Sequence, residues 1–590
     1  MASSASEEPL NDSPGQPLSH ILSLVRAGST TRLAFEQGCL VVDGDYFVPT
    51  SITTSSTDAV ILNWPDRKET KKNRGRFCGL PLSPPVGHER ELAVPFYNIL
   101  WARLQNSLLI IDYVHPAKAR IRPKRLVYPL GNVSNEEAEA WVEALLSRAY
   151  SRAQRCKRAK VLVNPHAGPG KALKIWKKEV RPLFVAANMQ LDMTLTTYSG
   201  EAVEICRNLD INAYDVVIPC SGDGLPHEVF NGLGKRPDAL RALRTLAVAH
   251  IPCGSGNAMS CNLNGSYKPA EAALAIIKGV RTPLDLMSVT QGGAGKDEET
   301  RRTLSFLSQS VGIIAESDLG TESMRWLGAF RFNVGVAQRM LRGQIYPCTV
   351  AAKVEIGDKA GVTAHYRRER EAQMNNNTNV PREGERPETQ DGGAGSPNAL
   401  DAGEGSSAGE GLPPLKYGTV NDKVPDDWVV LPTERMGNFY CGNVSLLTDS
   451  PMRSRSRSAA KNKLTQSQMA YMAPHSNFFP ATNPHDGMMD LVMNDGDIRL
   501  SKYLELMMSI EKESFFEQPL VAYRKITAYR LTPRDQADGY ISVDGERIPF
   551  EPFQVEIHPA LGTVLSKNGK YEANGPPGWD AIPQGHLHTD

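Results

Sequence analysis

Asp223 is the first candidate for chemistry because a glycine flanks it on each side. It lies between Gly222 and Gly224, shortly after the apolar run 216–218. Such a run is typical of a strand that is buried on both faces of a parallel sheet, and apolar residues recur at helical spacing after Gly224. We therefore expect the aspartate at the carboxyl edge of a sheet, where α/β proteins bind ligands and glycines let phosphates approach the backbone. The alternative is an ordinary Asp-Gly surface turn.

Two further segments repeat the pattern of an apolar strand followed by a glycine-rich loop. Residues 160–171 read KVLVNPHAGPGK, and residues 246–257 read LAVAHIPCGSGN. Three such units within residues 160–257 favour a nucleotide site over three unrelated turns, because backbone amides in glycine-rich loops bind phosphate. The loop at 168–171 lacks the spacing and the terminal Ser or Thr of a Walker A sequence.

With these segments the chain resembles the diacylglycerol-kinase-like lipid kinases and, within them, the sphingoid-base (sphingosine) kinases. The matching segments begin at Asn164, Ser221, Pro252, Glu316 and Val543, and they read NPHAG, SGDGLPHE, PCGSGN, ESDLG and VDGE. Their order and spacing follow the family from about residue 159 to residue 566. Ser221, in place of a more widespread glycine, and the His227-Glu228 pair after it are specific to the sphingosine-kinase side. Pro226 and His166 depart from the family pattern, but neither removes a group that the chemistry needs.

The resemblance implies an α/β N-terminal kinase lobe, then a mainly antiparallel β second lobe, with the catalytic cleft between them. It implies ATP and Mg²⁺ as cofactors, and Asp223 as the catalytic acceptor of the proton of a lipid hydroxyl. The implied nucleotide contacts are Asn164, Pro165, His166, Thr196, Gly200, Ser221, Gly222, Gly224, Glu228, Gly254, Ser255, Gly256, Arg325, Arg331, Asp544, Gly545 and Glu546. The implied substrate contacts are Ser221, Gly222, Asp223, Gly224 and Asp318. No residue is assigned as a dedicated metal ligand.

Several of these residues have an alternative role that needs no ligand. Asn164 and Asn257, at the ends of their loops, can bind nucleotide or cap the helix that follows. Arg325 and Arg331 can bind phosphate or form surface salt bridges. The turn at Asp544 can belong to a simple hairpin or, as the resemblance implies, can reach the nucleotide through Mg²⁺ and water.

The substrate class depends on a partner for a free amine. A sphingoid base carries an ammonium group beside its hydroxyl, whereas ceramide and diacylglycerol do not. Asp318 matches the family position that binds the polar head, and Glu316 is a second candidate; either can instead cap the following helix. The resemblance predicts phosphorylation of sphingosine, dihydrosphingosine or phytosphingosine at the primary hydroxyl. The alternatives are a ceramide or diacylglycerol kinase of the same fold, or a membrane-recruited scaffold without activity.

Composition restricts the partners and the compartment. Lys+Arg and Asp+Glu both number 66, so no net charge points to nucleic acid. The 9 cysteines occur without CxxC pairs, which indicates a reducing compartment and no structural zinc. The N-terminus lacks the basic and apolar regions of a signal peptide, and no apolar run approaches the ~18 residues that a spanning helix needs. We therefore expect a cytoplasmic protein that associates peripherally with membranes.

The elements that position these residues divide the chain into domains. We expect a disordered tail at 1–27, a pleckstrin-homology-like β domain at 28–156, the α/β lobe at 157–282 and a β-rich lipid-binding lobe at 283–566. Residues 366–424, rich in Gly, Glu, Asn and Pro, predict a disordered insertion, and residues 567–590 predict a tail.

The N-terminal domain contains basic residues that could meet an anionic membrane surface. Lys118, Arg120 and Arg122 alternate along a predicted strand. A second group lies in a loop and consists of Arg67, Lys68, Lys71, Lys72, Arg74 and Arg76. These charges predict an anionic-lipid patch or, as the alternative, a solvated face. Before the helix that ends the domain, Ser134 and Glu137 have the spacing of a capping box.

Overall fold

The computed structural model describes residues 21–26, 29–43, 51–54, 60–63, 92–117, 120–292, 300–320, 344–378, 411–443, 478–511 and 514–572, together with 575 and 579. The chain divides into two compact units. The first consists of residues 1–152 with 182–188, and the second of residues 153–181 with 189–590.

The first unit is built from antiparallel strands and one long helix. Its elements are β1 (Ile21–Arg26), β2 (Ser29–Glu36), β3 (Cys39–Asp43), β4 (Ser51–Thr54), β5 (Val60–Asn63), β6 (Leu92–Pro95), β7 (Ile99–Gln105), β8 (Leu108–Ala117), β9 (Arg120–Pro129) and α1 (Asn135–Tyr150). The strands form three sheets, in the orders β1-β2-β3-β6, β4-β5 and β7-β8-β9. Strands followed by a helix were predicted, and the assignment to the pleckstrin-homology-like class stays a prediction.

Helix α1 begins at the predicted cap. The backbone N–H of Glu137 donates to Ser134 Oγ at 3.1 Å, which satisfies one of the free donors at the start of the helix. On the buried face, Trp141 stacks on Phe35 with ring centroids 5.0 Å apart. The predicted N-terminal tail at 1–27 is too long, because β1 begins at Ile21 and its side chains alternate between buried and exposed.

The α/β lobe lies in the second unit, except for residues 182–188, which group with the first unit. Its elements are β10 (Arg158–Val163), α2 (Ala172–Ile175), a π-helical turn (Trp176–Val180), α3 (Arg181–Ala186), β11 (Gln190–Leu195), α4 (Glu201–Arg207), β12 (Val216–Ser221), α5 (Gly224–Gly234), α6 (Ala239–Thr245), β13 (Ala247–Val248), β14 (Ile251–Pro252), α7 (Ala258–Asn264) and α8 (Pro269–Ile277). The strands are parallel in the order β11-β10-β12-β13, and β14 extends the pairing with β12. Every residue of β12 is buried, as expected of an apolar run between helices.

The second lobe is predominantly antiparallel, as predicted. Its elements are β15 (Val280–Gln291), β16 (Arg301–Ser305), β17 (Ser308–Gly312), α9 (Ile313–Leu319), β18 (Cys348–Ile356), α10 (Lys359–Thr378), β19 (Val429–Leu431), β20 (Met436–Gly442), β21 (Met489–Asp495), α11 (Leu500–Glu511), β22 (Ala522–Pro533), β23 (Ile541–Val543), β24 (Glu546–Ile548) and β25 (Phe553–Ser566). Strand β25 pairs antiparallel with β15 and β22, and it meets β13 in parallel at Val248 and Val564. One 16-stranded sheet therefore runs through both lobes. The predicted boundary at 282/283 falls inside β15.

Two predicted disordered segments contain ordered structure. The predicted insertion at 366–424 begins inside α10, and residues 411–424 are placed: the backbone N–H groups of Lys416 and Tyr417 donate to Glu556 at 2.9 and 3.0 Å. Residues 379–410 lie outside the described part of the chain. The predicted tail at 567–590 is packed at least in part, because Tyr571 is buried and Trp579 lies edge-on to the ring of Phe516. In both segments the packing of apolar side chains has a larger effect than the polar composition from which disorder was predicted.

A buried charge cluster joins α10 to strands β21 and β22. Lys525 Nζ donates to Asp486 Oδ2 at 2.7 Å and to Asp490 Oδ2 at 3.2 Å, with all three side chains essentially inaccessible to water. His365 of α10 contacts Asp486 Oδ2 at 3.1 Å. Because charges this deep are costly unless paired, each carboxylate depends on the ammonium.

We predict that Lys525→Met destabilises the protein by about 3–5 kcal/mol, because it leaves two buried carboxylates without their cation. The urea midpoint of unfolding measures the effect. Lys353→Met is the matched control, since Lys353 pairs with an exposed Asp427 at 2.8 Å, and its midpoint should equal that of the wild type. Equal midpoints for both variants would show that the buried pair is dispensable.

Candidate functional site

Three glycine-rich loops meet at the carboxyl edge of the parallel sheet, as the sequence predicted. They follow β10, β12 and β14, and their backbones touch where glycine leaves room. A Cβ on Gly254 would lie 2.2 Å from the Cα of Gly222, and a Cβ on Gly168 would lie 2.7 Å from the carbonyl oxygen of Cys253. Any side chain at these two glycines would push the loops apart. The three loops therefore form a single surface.

Asp223 is held by the first turn of a different helix. Its carboxylate accepts the backbone N–H of Ala258 at 2.8 Å and that of Met259 at 3.0 Å, at the N-terminus of α7. Burial raises the pKa of Asp223, while the charge of His250 and the two amides act in the opposite direction. The side chain is only 12% exposed. The carboxylate therefore has a fixed orientation and is poorly solvated, and poor solvation makes it a stronger base.

Asn257 binds the backbone of its own loop and does not cap the helix that follows. Its Oδ1 accepts the N–H of Gly254 at 3.0 Å, and its Nδ2 donates to the carbonyl oxygen of Gly254 at 2.9 Å. No side-chain hydrogen bond from Asn257 caps α7. The side-chain amide of Asn257 thus bridges the two ends of the loop after β14. The N–H of Gly254 is therefore used within the loop, and the nucleotide contact of Gly254 stays a prediction.

The loop after β10 is also closed by an asparagine. Asn164 Oδ1 accepts the backbone N–H of His166 at 2.9 Å, which makes a local turn through Pro165. The N–H of Asn164 donates to the carbonyl oxygen of Cys220 in β12 at 3.2 Å. Asn164, Pro165 and His166 thus lie together beside the loop of Asp223, with the His166 side chain exposed.

Glu228 supports the neighbouring loop, which runs from Thr196 to Gly200. Its Oε2 accepts the N–H of Ala202 at 3.2 Å, in the first turn of α4. Burial raises the pKa of Glu228, and the backbone hydrogen bonds from Gly200 and Ala202 lower it in part. Thr196 is buried, and its N–H donates to Val163 of β10 at 3.0 Å. In the structure the carboxylate of Glu228 binds the backbone at the start of α4. Its predicted contact with ATP stays a prediction.

Asp544 was also predicted to bind the nucleotide, but its carboxylate has an internal role. It accepts the backbone N–H groups of Phe306, Leu307 and Ser308 at 3.0, 2.9 and 3.0 Å, and the hydroxyl of Ser305 at 2.6 Å. The two oxygens are therefore fully used by the turn between β16 and β17. The Asp544 carboxylate therefore organises this turn, and its contact with nucleotide or Mg²⁺ stays a prediction.

His227 links the α/β lobe to that same carboxylate. Its Nδ1 lies 2.8 Å from Asp544 Oδ2, across 317 positions of sequence. Burial lowers the pKa of His227, but the hydrogen bond and charge of Asp544, together with the charges of Glu546 and Glu228, outweigh burial and raise it. Asn231, one turn later, exchanges hydrogen bonds at 2.9 Å with both backbone groups of Leu304. Helix α5, which begins at the Asp223 loop, is thus fixed to the second lobe.

Glu546 brings a second carboxylate to the loops. A Cβ on Gly224 would lie 2.9 Å from Glu546 Oε1, so this acidic side chain lies directly against Gly224, with Gly545 in the turn before it. Among the described residues, no group of three or more His, Cys, Asp or Glu side chains could hold a metal ion by itself. A Mg²⁺ ion that enters with ATP fits this arrangement, because such ions take one or two carboxylates and complete their shell with phosphate and water.

Three predicted site residues lie outside the described part. Arg325 and Arg331 are in the undescribed segment 321–343, and the side chain of Asp318 is undescribed although its backbone belongs to α9. The alternative carboxylate Glu316 is placed, and its Oε2 accepts the hydroxyl of Tyr346.

The sequence reasoning missed His250. This residue is buried, its Nε2 lies 3.0 Å from the carbonyl oxygen of Ser221, and its Nδ1 lies 3.9 Å from Asp223 Oδ1. The available signal was a lone polar side chain in the apolar run before the loop at 253–257. His250 therefore lies behind the carboxylate that the site is built around.

Two family models match the chain. The diacylglycerol kinase catalytic domain matches residues 158–289, a stretch that contains all three glycine-rich loops. A domain of unknown function, DUF7493, matches residues 49–151.

Curated relatives match most of the chain. Sphingoid long chain base kinase 5 of Saccharomyces cerevisiae is 33% identical over 497 residues, which cover 79% of this chain and 68% of that protein. Sphingoid long chain base kinase 4 of Schizosaccharomyces pombe is 29% identical over 83% of this chain and 91% of that protein. Human sphingosine kinase 1 is 28% identical over 72% of this chain and 93% of that protein. A crystal structure of a diacylglycerol kinase from Bacillus anthracis aligns with a TM-score of 0.40 and 15% identity, over 70% of this chain and 97% of that one.

We predict that Asn257→Ala weakens the use of ATP, because the loop after β14 loses both hydrogen bonds that close it. Two neutral hydrogen bonds contribute about 1–3 kcal/mol, so kcat/KM for ATP should fall about 5- to 150-fold. Steady-state kinetics with varied ATP measure this change, and the urea midpoint checks folding. Asn208→Ala is the control: Asn208 donates to Glu204 O at 3.0 Å on the exposed end of α4. If both variants keep the wild-type kcat/KM, the loop does not need Asn257.

Proposed function

The chain belongs to the sphingoid long-chain base kinase family, and we propose that its three-loop site transfers the γ-phosphoryl group of ATP to the primary hydroxyl of a sphingoid base. It is an ATP-dependent lipid kinase of sphingoid bases. The observation that carries the proposed mechanism is the position of Asp223. A buried carboxylate, oriented by two amides of α7, lies in a surface of glycine-rich loops at a sheet edge.

In the proposed reaction Asp223 is the general base. The lipid hydroxyl oxygen attacks the γ-phosphorus and forms a new P–O bond, while its proton passes to the Asp223 carboxylate. The bond between the γ-phosphorus and the bridging oxygen breaks, and its electron pair leaves with ADP. Burial raises the pKa of Asp223, and a more basic carboxylate accepts that proton more readily.

Backbone amides and Glu546 serve the nucleotide in this proposal. The loops after β10, β12 and β14 supply N–H groups for the phosphates, with that of Gly254 excepted. When bound, Mg²⁺ would neutralise phosphate charge, and Glu546, which lies against Gly224, is the carboxylate placed to contact it. Arg325 and Arg331 stay predicted phosphate ligands.

We predict that Asp223→Asn lowers kcat by about 10²–10⁴-fold, or about 3–5 kcal/mol of barrier, because an amide cannot take the hydroxyl proton. Equilibrium binding should show that ATP still binds, since the asparagine oxygen can accept one α7 amide. Asp238→Asn is the control, because Asp238 pairs with Arg236 at 2.7 Å just before α6 and the variant should keep full activity. More than about a tenth of wild-type turnover in Asp223→Asn would refute the base assignment. An inactive wild type that binds ATP would instead favour the scaffold alternative.

Selectivity for a sphingoid base is proposed to come from a carboxylate that meets the substrate ammonium. A charge-assisted hydrogen bond contributes about 1.5–3 kcal/mol, whereas the amide of ceramide gains nothing from the charge. We predict that Asp318→Asn lowers kcat/KM for sphingosine about 10- to 150-fold and leaves KM for ATP nearly unchanged. Assays with sphingosine, ceramide and diacylglycerol measure the discrimination.

Glu316→Gln is the matched comparison for this experiment, because Glu316 lies two residues before Asp318 on α9 and already accepts a hydrogen bond from Tyr346. A larger loss in Glu316→Gln than in Asp318→Asn would transfer the amine-binding role to Glu316. Equal use of ceramide or diacylglycerol by the wild type would contradict amine recognition altogether.

We also propose that the protein associates peripherally with membranes. No helix among the described residues is both long and apolar enough to cross a bilayer. Peripheral contact with an anionic membrane surface is supported by the basic residues of the first unit, of which Arg122 is exposed. The loop at 67–76 and Lys118 lie outside the described residues, and the side chain of Arg120 is undescribed.

A further inference from the structure

Helix α7, whose first amides hold the proposed base, is closed at its other end by the chain that follows β25. The segment from Lys567 to Glu572 is here called the tail segment. The N–H of Lys567 donates to the carbonyl oxygen of Leu263 at 2.9 Å, and the N–H of Glu572 donates to that of Asn262 at 2.7 Å. Both carbonyl groups belong to the last turn of α7, where a helix has no partners of its own for them. The tail segment therefore caps α7.

Asn262 continues this connection to the start of the helix. Its side chain is completely buried, and its Nδ2 donates to the carbonyl oxygen of Ala258 at 2.8 Å. The N–H of Ala258 in turn donates to Asp223 Oδ2 at 2.8 Å. Hydrogen bonds thus lead from Glu572 through Asn262 and Ala258 to the carboxylate.

Tyr571 of the tail segment packs against the side of the same helix. Its ring is buried in an apolar cluster that also contains Ala258, Met259 and Leu263 of α7. Its hydroxyl donates to the carbonyl oxygen of Asn443 at 2.6 Å, just after β20 of the second lobe. Helix α7 has 7 residues, and so short a helix keeps its form only through tertiary contacts. The tail segment supplies such contacts and is itself fixed to the second lobe.

We propose that Tyr571 and Glu572 are positioning residues, which hold α7 and thereby fix the orientation of the Asp223 carboxylate for proton transfer. The inference rests on the proposed function, because it gives the tail segment a role in the orientation of the proposed base. Neither residue touches the reacting atoms, and both act through α7. A general base must lie within hydrogen-bond reach of its proton, and a misplacement of about 1 Å can cost about 10²-fold in rate.

The test is the turnover of sphingosine in detergent micelles, expressed per ATP-binding site. Equilibrium binding of ATP counts these sites, so unfolded molecules do not affect kcat. Tyr571→Ala removes the ring from the cluster together with the bond to Asn443, and it should lower kcat about 10- to 100-fold. Glu572→Pro removes the N–H that Asn262 accepts, and it should lower kcat about 2- to 12-fold. The Kd of ATP and the KM of sphingosine should stay within about twofold of the wild type in both variants.

A double-mutant cycle with Asp223→Asn separates positioning from mere structural support. Tyr571→Ala in the Asp223→Asn background should lower the residual turnover by less than about twofold, because the group that the tail segment positions is already missing. A merely structural role would lower the turnover by the same factor in both backgrounds. Equal factors in the two backgrounds overturn the proposal.

Tyr503→Ala is the matched control. Tyr503 is also a buried tyrosine, but it lies on α11 in a different apolar cluster of the second lobe. This variant should lower the urea midpoint of unfolding, as Tyr571→Ala does, and should keep the wild-type kcat per ATP-binding site. An equal loss of kcat in Tyr503→Ala would show that the loss is not specific to the tail segment and overturns the proposal. If Tyr571→Ala does not fold, Glu572→Pro decides alone, and a wild-type kcat there overturns the proposal equally.

The two levels of inference fail in different ways. If the wild type does not phosphorylate sphingosine, or if Asp223→Asn keeps its turnover, the proposed function fails and the role of the tail segment fails with it. If Asp223→Asn is inactive while Tyr571→Ala and Glu572→Pro keep the wild-type kcat, only the role of the tail segment fails.

Discussion

The site depends on the contact between the Asp223 carboxylate and the first two amides of α7. Asp223 follows β12 and α7 follows β14, so this contact joins two neighbouring strand-to-helix connections. The start of a helix has free N–H donors and a partial positive charge, both of which stabilise an anion there. The backbones of Gly222 and Gly254 must then pack against each other, because the carboxylate can reach α7 only across that short distance. The glycines are needed for this approach, and the approach fixes the orientation of the Asp223 carboxylate.

Carboxylates that bind backbone amides recur throughout the second unit. Asp544 binds three N–H groups of the turn between β16 and β17, and Asp285 binds those of Gly487 and Ala560 at 2.6 and 2.7 Å. Glu556 binds two more at Lys416 and Tyr417. In each case a buried or partly buried anion satisfies donors that an irregular loop would otherwise leave unpaired. The same chemistry therefore positions loops in both lobes, and at Asp223 it also leaves a basic group at a sheet edge.

The two lobes are coupled through helix α5. This helix starts in the loop of Asp223, and His227 and Asn231 on it bind the turn that Asp544 organises. Glu546 lies two residues after Asp544 and reaches Gly224. The hairpin therefore has two functions in one turn, since Asp544 fixes the second lobe to α5 and Glu546 presents a carboxylate to the loops. Strand β25 also connects the lobes, because it pairs with β13 of the α/β lobe and with β15 of the second lobe.

The sequence by itself determined the features that depend on neighbouring residues. Strand, glycine loop and helix follow one another within a few positions, so the three loops, the place of Asp223 at the sheet edge and the cap of α1 could all be predicted from local pattern. The sequence of motifs also identified the lipid-kinase family. Only the tertiary structure decided what Glu228, Asn257, Asp544 and His250 do, because a polar side chain close to a motif can face a ligand or a backbone amide equally well. Their partners are set by packing, as between His227 and Asp544 across 317 positions, and no local pattern of residue types encodes such a contact.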